Sequence, residues 1–255
     1  MLIEGLRWRI SIQNSKSNFK GQIMKRNALM ATLLMLAVSL TAAESGPKDE
    51  VANAAKKLGD ANNYSWKSTV EFGNFTGTTD GKADKEGLVS LSMTFGDNTT
   101  DAFLKDGKGA VKAQDRDWQS LTELEAATDQ GPQRFLLRRL QNFKTPSMEV
   151  ADLAGKTKEL KKDGEVYLGD LTEAGAKELL SFGRRGGNAP EPKNAKGSVK
   201  IWIKSGAITK FVVNLSGSIN FNGEDRDVDR TTTTEIKDVG ATKLEVPEPA
   251  KKKLA

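Results

Sequence analysis

The 255-residue chain contains no cysteine and no histidine, and only two tyrosines. Without cysteine there can be no disulfide, no thiol nucleophile and no lipid attachment of the bacterial lipoprotein kind. Without histidine there is no Ser-His-Asp triad and no histidine-ligated haem, and the usual zinc sites need one or both of these residues. Histidine is also the commonest general base near neutral pH, so the chain is expected not to be an enzyme, with carboxylate-only hydrolases as the exception. No catalytic residue, cofactor or metal site is expected.

What is there is ordinary for a soluble globular protein: 29% charged and 37% apolar residues, in a length that suits one large domain or two small ones. The basic pI of about 9.2 is unevenly distributed. Residues 1–43 hold Arg7, Arg9, Lys16, Lys20, Lys25 and Arg26 against Glu4 alone, which leaves 33 of the 39 basic and 33 of the 34 acidic residues for the remainder. A neutral body with interspersed signs lacks the footprint that phosphate backbones require, so no nucleic-acid partner is expected.

Lys25-Arg26 precedes Ala28–Ala43, sixteen residues without a charge, with Thr41 and Ala43 as small residues before Glu44. A basic segment, a short apolar segment and a small-residue cleavage site make a secretory leader cleaved between Ala43 and Glu44. Sixteen residues fall short of the roughly 20 a membrane span needs, so no stable transmembrane anchor is expected. Met24 stands directly before the basic pair. The leader is therefore either residues 24–43 behind a mis-assigned start (1–23) or 1–43 with a long basic region. The mature chain, 44–255, is expected to be a single exported domain, periplasmic or extracellular.

In that mature chain Val51, Ala54, Ala55 and Leu58 form one stripe of a helix over 44–61. The period then becomes two. Trp66, Val70 and Phe72 share one face of a strand, and Leu91, Met93 and Phe95 one face of a second over 87–95. The Gly- and Asp-rich stretch between them, 73–87, reads as a loop or long hairpin connection. Asp106-Gly107, Asp163-Gly164, Ser205-Gly206 and Asn222-Gly223 are hairpin signals, and sequential strands joined so tightly must be antiparallel. Helices are expected over 121–128, 132–143, 146–153 and 174–182, the last capped by Thr172. A loop follows over 184–196, then a strand over 197–204. The long strand 207–221 aligns Phe211, Val213, Leu215, Ile219 and Phe221, interrupted by Gly217 as at a bulge. Strand 228–239 returns, and a short basic helix closes the chain.

Candidate chemical motifs are weak. Gly77–Lys82 resembles a phosphate loop, but Thr76 and Ala83 stand where the motif needs Gly and Ser or Thr. Asp225, Asp227 and Asp229 alternate as at the start of a calcium loop, but Arg230 and Ile236 occupy the positions that need Gly and Glu. Ion pairing with Arg226 and Arg230 is the expected role. Asp115 and Asp117 are a carboxylate pair with nothing to place them in a cleft.

The segment Gly197–Ile208 (GSVKIWIKSGAI) and the tail Thr233–Leu254 (TTEIKDVGATKLEVPEPAKKKL) resemble the late strand-turn-strand and the ending of the LolA/LppX-like superfamily of periplasmic lipoprotein and lipid carriers. The resemblance implies an α+β fold: a strongly curved, unclosed antiparallel sheet, a half-barrel whose concave face is covered by helices and takes acyl chains. On that expectation the ligand is a lipid or other apolar molecule, lined by Trp66, Val70, Phe72, Leu91, Met93, Phe95, Phe211, Val213, Leu215, Ile219 and Phe221, without convergent charges. A buried C16 chain contributes on the order of 10 kcal/mol at about 0.8 kcal/mol per CH₂, less the cost of association. The alternative is an envelope structural protein with a filled core and no ligand, meeting a protein partner through an exposed sheet edge.

Overall fold

The computed structural model describes residues 46–114, 116–127, 132–181, 191–221 and 224–255. The expected leader and its expected cleavage site at Ala43 and Glu44 lie outside the described residues. The described chain opens with α1 (Pro47–Gly59), whose Val51, Ala54, Ala55 and Leu58 are all buried. Five strands follow as a meander: β1 (Asn63–Phe72), β2 (Phe75–Asp84), β3 (Val89–Phe95), β4 (Asn98–Lys105) and β5 (Lys108–Ala113), with a short edge β6 (Gln119–Ser120). Helices α2 (Leu121–Ala126), α3 (Pro132–Gln141) and α4 (Pro146–Lys156) come next. The second meander is β7 (Lys161–Asp163), β8 (Val166–Asp170), β9 (Lys193–Lys204), β10 (Ala207–Phe221) and β11 (Glu224–Lys237), with α5 (Glu173–Leu180) before β9 and α6 (Glu248–Leu254) at the end.

All eleven strands join one antiparallel sheet in the order β6-β5-β4-β3-β2-β1-β11-β10-β9-β8-β7. The sheet does not close, so it is the α+β half-barrel expected from the sequence. Its edges end in strands of two and three residues, and β7 carries exposed Lys161 and Lys162, features that blunt an edge against further pairing.

Local chemistry explains the main elements. Turns at Asp106-Gly107 and Ser205-Gly206 place both residues at positive φ (50° and 77°, 51° and 72°), the backbone that two-residue hairpins require. Ser120 and Glu123 close a capping box on α2. Thr172 accepts from the Gly175 N–H (3.0 Å) to start α5. At Gly217 the β9–β10 register shifts between Ser216 and Ser218, the bulge its glycine signalled.

The loop read over 73–87 is instead mostly β2, paired on both sides. Its glycines are where large side chains of the neighbouring strands lie: a Cβ at Gly81 would meet the Trp66 ring, and one at Gly77 the Phe95 ring. The loop read over 184–196 yields its last four residues to β9, and β11 begins four residues earlier than expected. Helices α1 and α5 pack on β9 and β10, and α4 on α1 and α5. They bury one core with Leu91, Phe211, Val150, Leu153 and Leu180 at its centre. Helix α6 packs on the opposite face, where Ala250 meets Phe103 and Ala110 beside Trp118.

Candidate functional site

Register places the expected lining residues on one face. Trp66 lies opposite Gly81, and Gly81 opposite Leu91; Val70 lies opposite Gly77, and Gly77 opposite Phe95. Across the other edge of β1, Val70 faces Thr232 and Phe72 faces Arg230, whose partners on β10 are Val213 and Leu215. Met93 reaches the same face opposite Thr79, Phe211 opposite Thr234, and Ile219 opposite Arg226. Phe221 pairs with Glu224 through its backbone, but its side chain lies outside the described residues.

Coverage of this inner face is uneven. Trp66, Leu91, Met93, Phe211, Val213 and Leu215 are buried beneath the helices, with Trp66 stacked on Phe143 (6.2 Å between ring centroids). Towards the β1–β2 and β3–β4 turns the cover thins. Val70 and Ile219 are half-buried, while Phe72 and Phe95 are 37% and 56% exposed. Phe75, which the sequence reading left in a loop, is 61% exposed and stacks on Phe95 at 6.2 Å. Only the strand character of β2 could have found it, and the glycines masked that character. Three aromatic rings therefore form an uncovered apolar end to an otherwise filled sheet face, and such patches mark interaction sites.

The expectation of a lining without convergent charges is overturned. Arg230 is on the inner face of β11, beside Phe72 and Leu215, because its register parity matches that of the apolar residues. Its Nη2 donates to the Leu179 carbonyl of α5 (3.1 Å). From α3, the Arg139 Nη2 donates to the hydroxyl of inner-face Thr79 (3.3 Å). Glu149 of α4 stands close enough to feel both positive charges. Burial pushes its carboxyl up to about 7, against the opposing pull of Arg230, Lys144 and Arg139. Burial also lowers both arginines, although Glu149 works to hold them charged.

These three side chains are enclosed by protein yet reached by solvent: Arg139 is exposed by area, and Glu149 and Arg230 are half-buried. They form a charged cluster where α3 and α4 approach the inner face of the sheet. Asp152, held by Lys144 (2.8 Å) and Lys156, flanks it.

The other candidate motifs have structural roles or lie elsewhere. Gly77–Lys82 is part of β2, paired on both sides and not a phosphate loop. Asp225 is paired with Lys193 (2.6 Å) and Arg226 with Glu224 (3.5 Å), whereas Arg230 turns inward and does more than offset strand carboxylates. Asp117 is exposed, and Asp115 lies outside the described residues. Among the described residues no three acidic groups gather to hold a metal, and no described helix is long and apolar enough to cross a membrane.

A separate cleft of about 480 Å³ opens between α1 and the β7–β8 hairpin. Three of its polar groups, Glu50, Lys162 and Tyr167, are committed to one another. Glu50 accepts from Lys162 (2.6 Å) and from the Tyr167 hydroxyl, and the Lys162 ammonium sits 5.3 Å over the Tyr167 ring. The Lys162 bond is the main influence holding the Glu50 carboxyl below its usual range. This is a staple between helix and sheet edge.

No family model matches the chain, and no curated protein matches it. Among solved structures it is similar to the crystal structure of LprF from Mycobacterium bovis, at 12% identity and a TM-score of 0.44, over 80% of this chain and 97% of the other. A structure of MucB in complex with MucA(peri) aligns over 78% of this chain and 99% of the other, at 12% identity and a TM-score of 0.11. Neither likeness bears on what the chain binds.

Proposed function

We propose that residues 44–255 act as one exported, non-catalytic binding domain, a carrier that holds a lipid or other apolar chain against the uncovered end of its inner sheet face. The observation that supports this reading is the gradient of cover along that face. Large apolar side chains in continuous register pass from full burial at Trp66, Leu91 and Phe211 to exposure at Phe72 and Phe95. Chain contacts there need no polar anchor, since apolar burial contributes about 0.8 kcal/mol per CH₂. The reading assigns the chain no reaction.

The filled-core alternative has an observation of its own. At Gly81, Gly109 and Gly217 neighbouring side chains already occupy the space above the glycine. Those contacts restrict any ligand to the end of the face that carries Val70, Phe72, Phe95 and Ile219. The short edge strands, of which β7 carries two exposed lysines, count against the scaffold role through edge pairing. Native mass spectrometry of gently purified protein, followed by lipid extraction, tests the proposal. A bound apolar molecule is the expected result. A ligand-free mass, together with no binding of added hexadecanol, palmitate or hexadecyl phosphate, would overturn it.

A further inference from the structure

An arginine on an otherwise largely apolar sheet face calls for a reason. Arg230 is the direct register partner of Phe72, so its Cα stands about 5 Å from that of the exposed ring. Arg139 comes down on the same face from α3, onto Thr79, one row from Gly77 and the Phe95 ring that covers it. The uncovered aromatic end and the two guanidiniums are thus neighbouring parts of one surface; Arg139 is exposed, and Arg230 is half-buried with its Nε enclosed.

We propose that this surface receives an amphiphile with an anionic head, its carboxylate or phosphate oxygens between Arg139 and Arg230 and its chain over Val70, Phe72 and Phe95. The proposal rests on the apolar-ligand reading above and adds the chemistry of the head. Guanidinium suits the role because its planar fork of donors matches a carboxylate or phosphate and keeps its charge when partly dehydrated. Two like charges held near each other on an apolar face are costly without a counter-ion. Glu149 supplies that counter-charge in the ligand-free protein, and a head group would take its place. Uptake of the anion then leaves Glu149 as the group best relieved by a proton, consistent with a carboxyl already raised to about 7.

The test compares three C16 probes on the full chain below their micelle concentrations: palmitate, hexadecyl phosphate and hexadecanol. At least one of the anionic probes should bind about tenfold tighter than the alcohol, the effect of a charge-assisted hydrogen-bonded pair. The tighter one identifies the head as carboxylate or phosphate. The anion-to-alcohol ratio should fall towards one in Arg230→Gln and in Arg139→Gln, and rise in Glu149→Gln, where the competing carboxylate is gone. Because the readout is a ratio, a general loss of affinity in a destabilised variant does not imitate the effect. Equal binding of all three probes to the unaltered protein would overturn the anionic site and leave the apolar-ligand reading standing. Binding of none would overturn both.

Discussion

The indole of Trp66 lies on Gly81 so closely that a Cβ there would stand 2.1 Å from the ring. Phe143 stacks on the same indole and Tyr64 tilts against it at 5.6 Å, so the ring has nowhere to retreat. Gly81→Ala should therefore destabilise the protein by about 2 kcal/mol or more, as overpacking of a filled core does. Chemical denaturation measures it; an unchanged midpoint would show that Trp66 is not held as described.

At the other end of the same face the rings are uncovered, and their loss should affect binding without affecting folding. Phe72→Ser combined with Phe95→Ser removes surface that solvent already reaches. The melting temperature should shift by no more than a few degrees, while affinity for a C16 chain falls about tenfold or more. Loss of stability with affinity intact would assign those rings to the core.

Glu149 gives the stability a defined pH dependence. Its folded carboxyl is raised to about 7 from an ordinary 4.5, so what it contributes is fully present below pH 4.5 and is lost as pH rises through 7. The unfolding free energy should fall between pH 5 and 8, by up to about 3 kcal/mol. Glu149→Gln should flatten that slope. The charged groups that face it are Arg230, Lys144, Asp152 and Arg139, and the chain has no histidine to add a second transition. A flat profile in the unaltered protein would contradict the buried setting of this carboxylate.

Helix α6 is fastened to α2 by Lys253, which donates to both carboxylate oxygens of Glu123 (2.6 and 2.9 Å), the residue that also completes the Ser120 capping box. Seated behind the sheet, Ala250 is fully buried against Phe103 and Ala110. Ala250→Arg should release the helix, seen as faster amide exchange in 248–254 and around Trp118, with the inner face unchanged. Ser120→Ala should cost about 1 kcal/mol.

Export is checked by sequencing the N-terminus of protein recovered from the envelope or medium, which should begin near Glu44. Intact chain retained in the cytoplasm would refute the leader.

How far the sequence was legible depended on whether burial left a periodic signal. Strands β1, β3 and β10 alternate large apolar and polar residues, so their inner faces were readable, as was the single stripe of α1. Strand β2 has the same register but a different economy: Gly77, Gly81 and Ala83 contribute absence, the space that rings from β1 and β3 fill. A strand whose inner residues are small because its neighbours are large has no hydrophobic period of its own. Arg230 was missed for a related reason. Its parity with Val228 and Thr232 was visible, but three alternating aspartates beside it offered a simpler use for its charge. That Arg139 and Glu149 meet it depends on how three distant elements pack, which no local pattern carries.

The pairing of β1 with β11 places the first and last strands side by side in the middle of the sheet, from Ser65↔Lys237 to Phe72↔Arg230. Each flanking meander pairs strands that are consecutive in the chain, but this central seam joins residues more than 150 positions apart. A chain that emerges N-terminus first during synthesis cannot complete its sheet until nearly the last strand has appeared, so β1 presents an open edge for most of that time. The same arrangement makes the molecule divisible. Cut in the helical region between the meanders, it would yield two contiguous halves, each with one long unpaired edge that matches only the other.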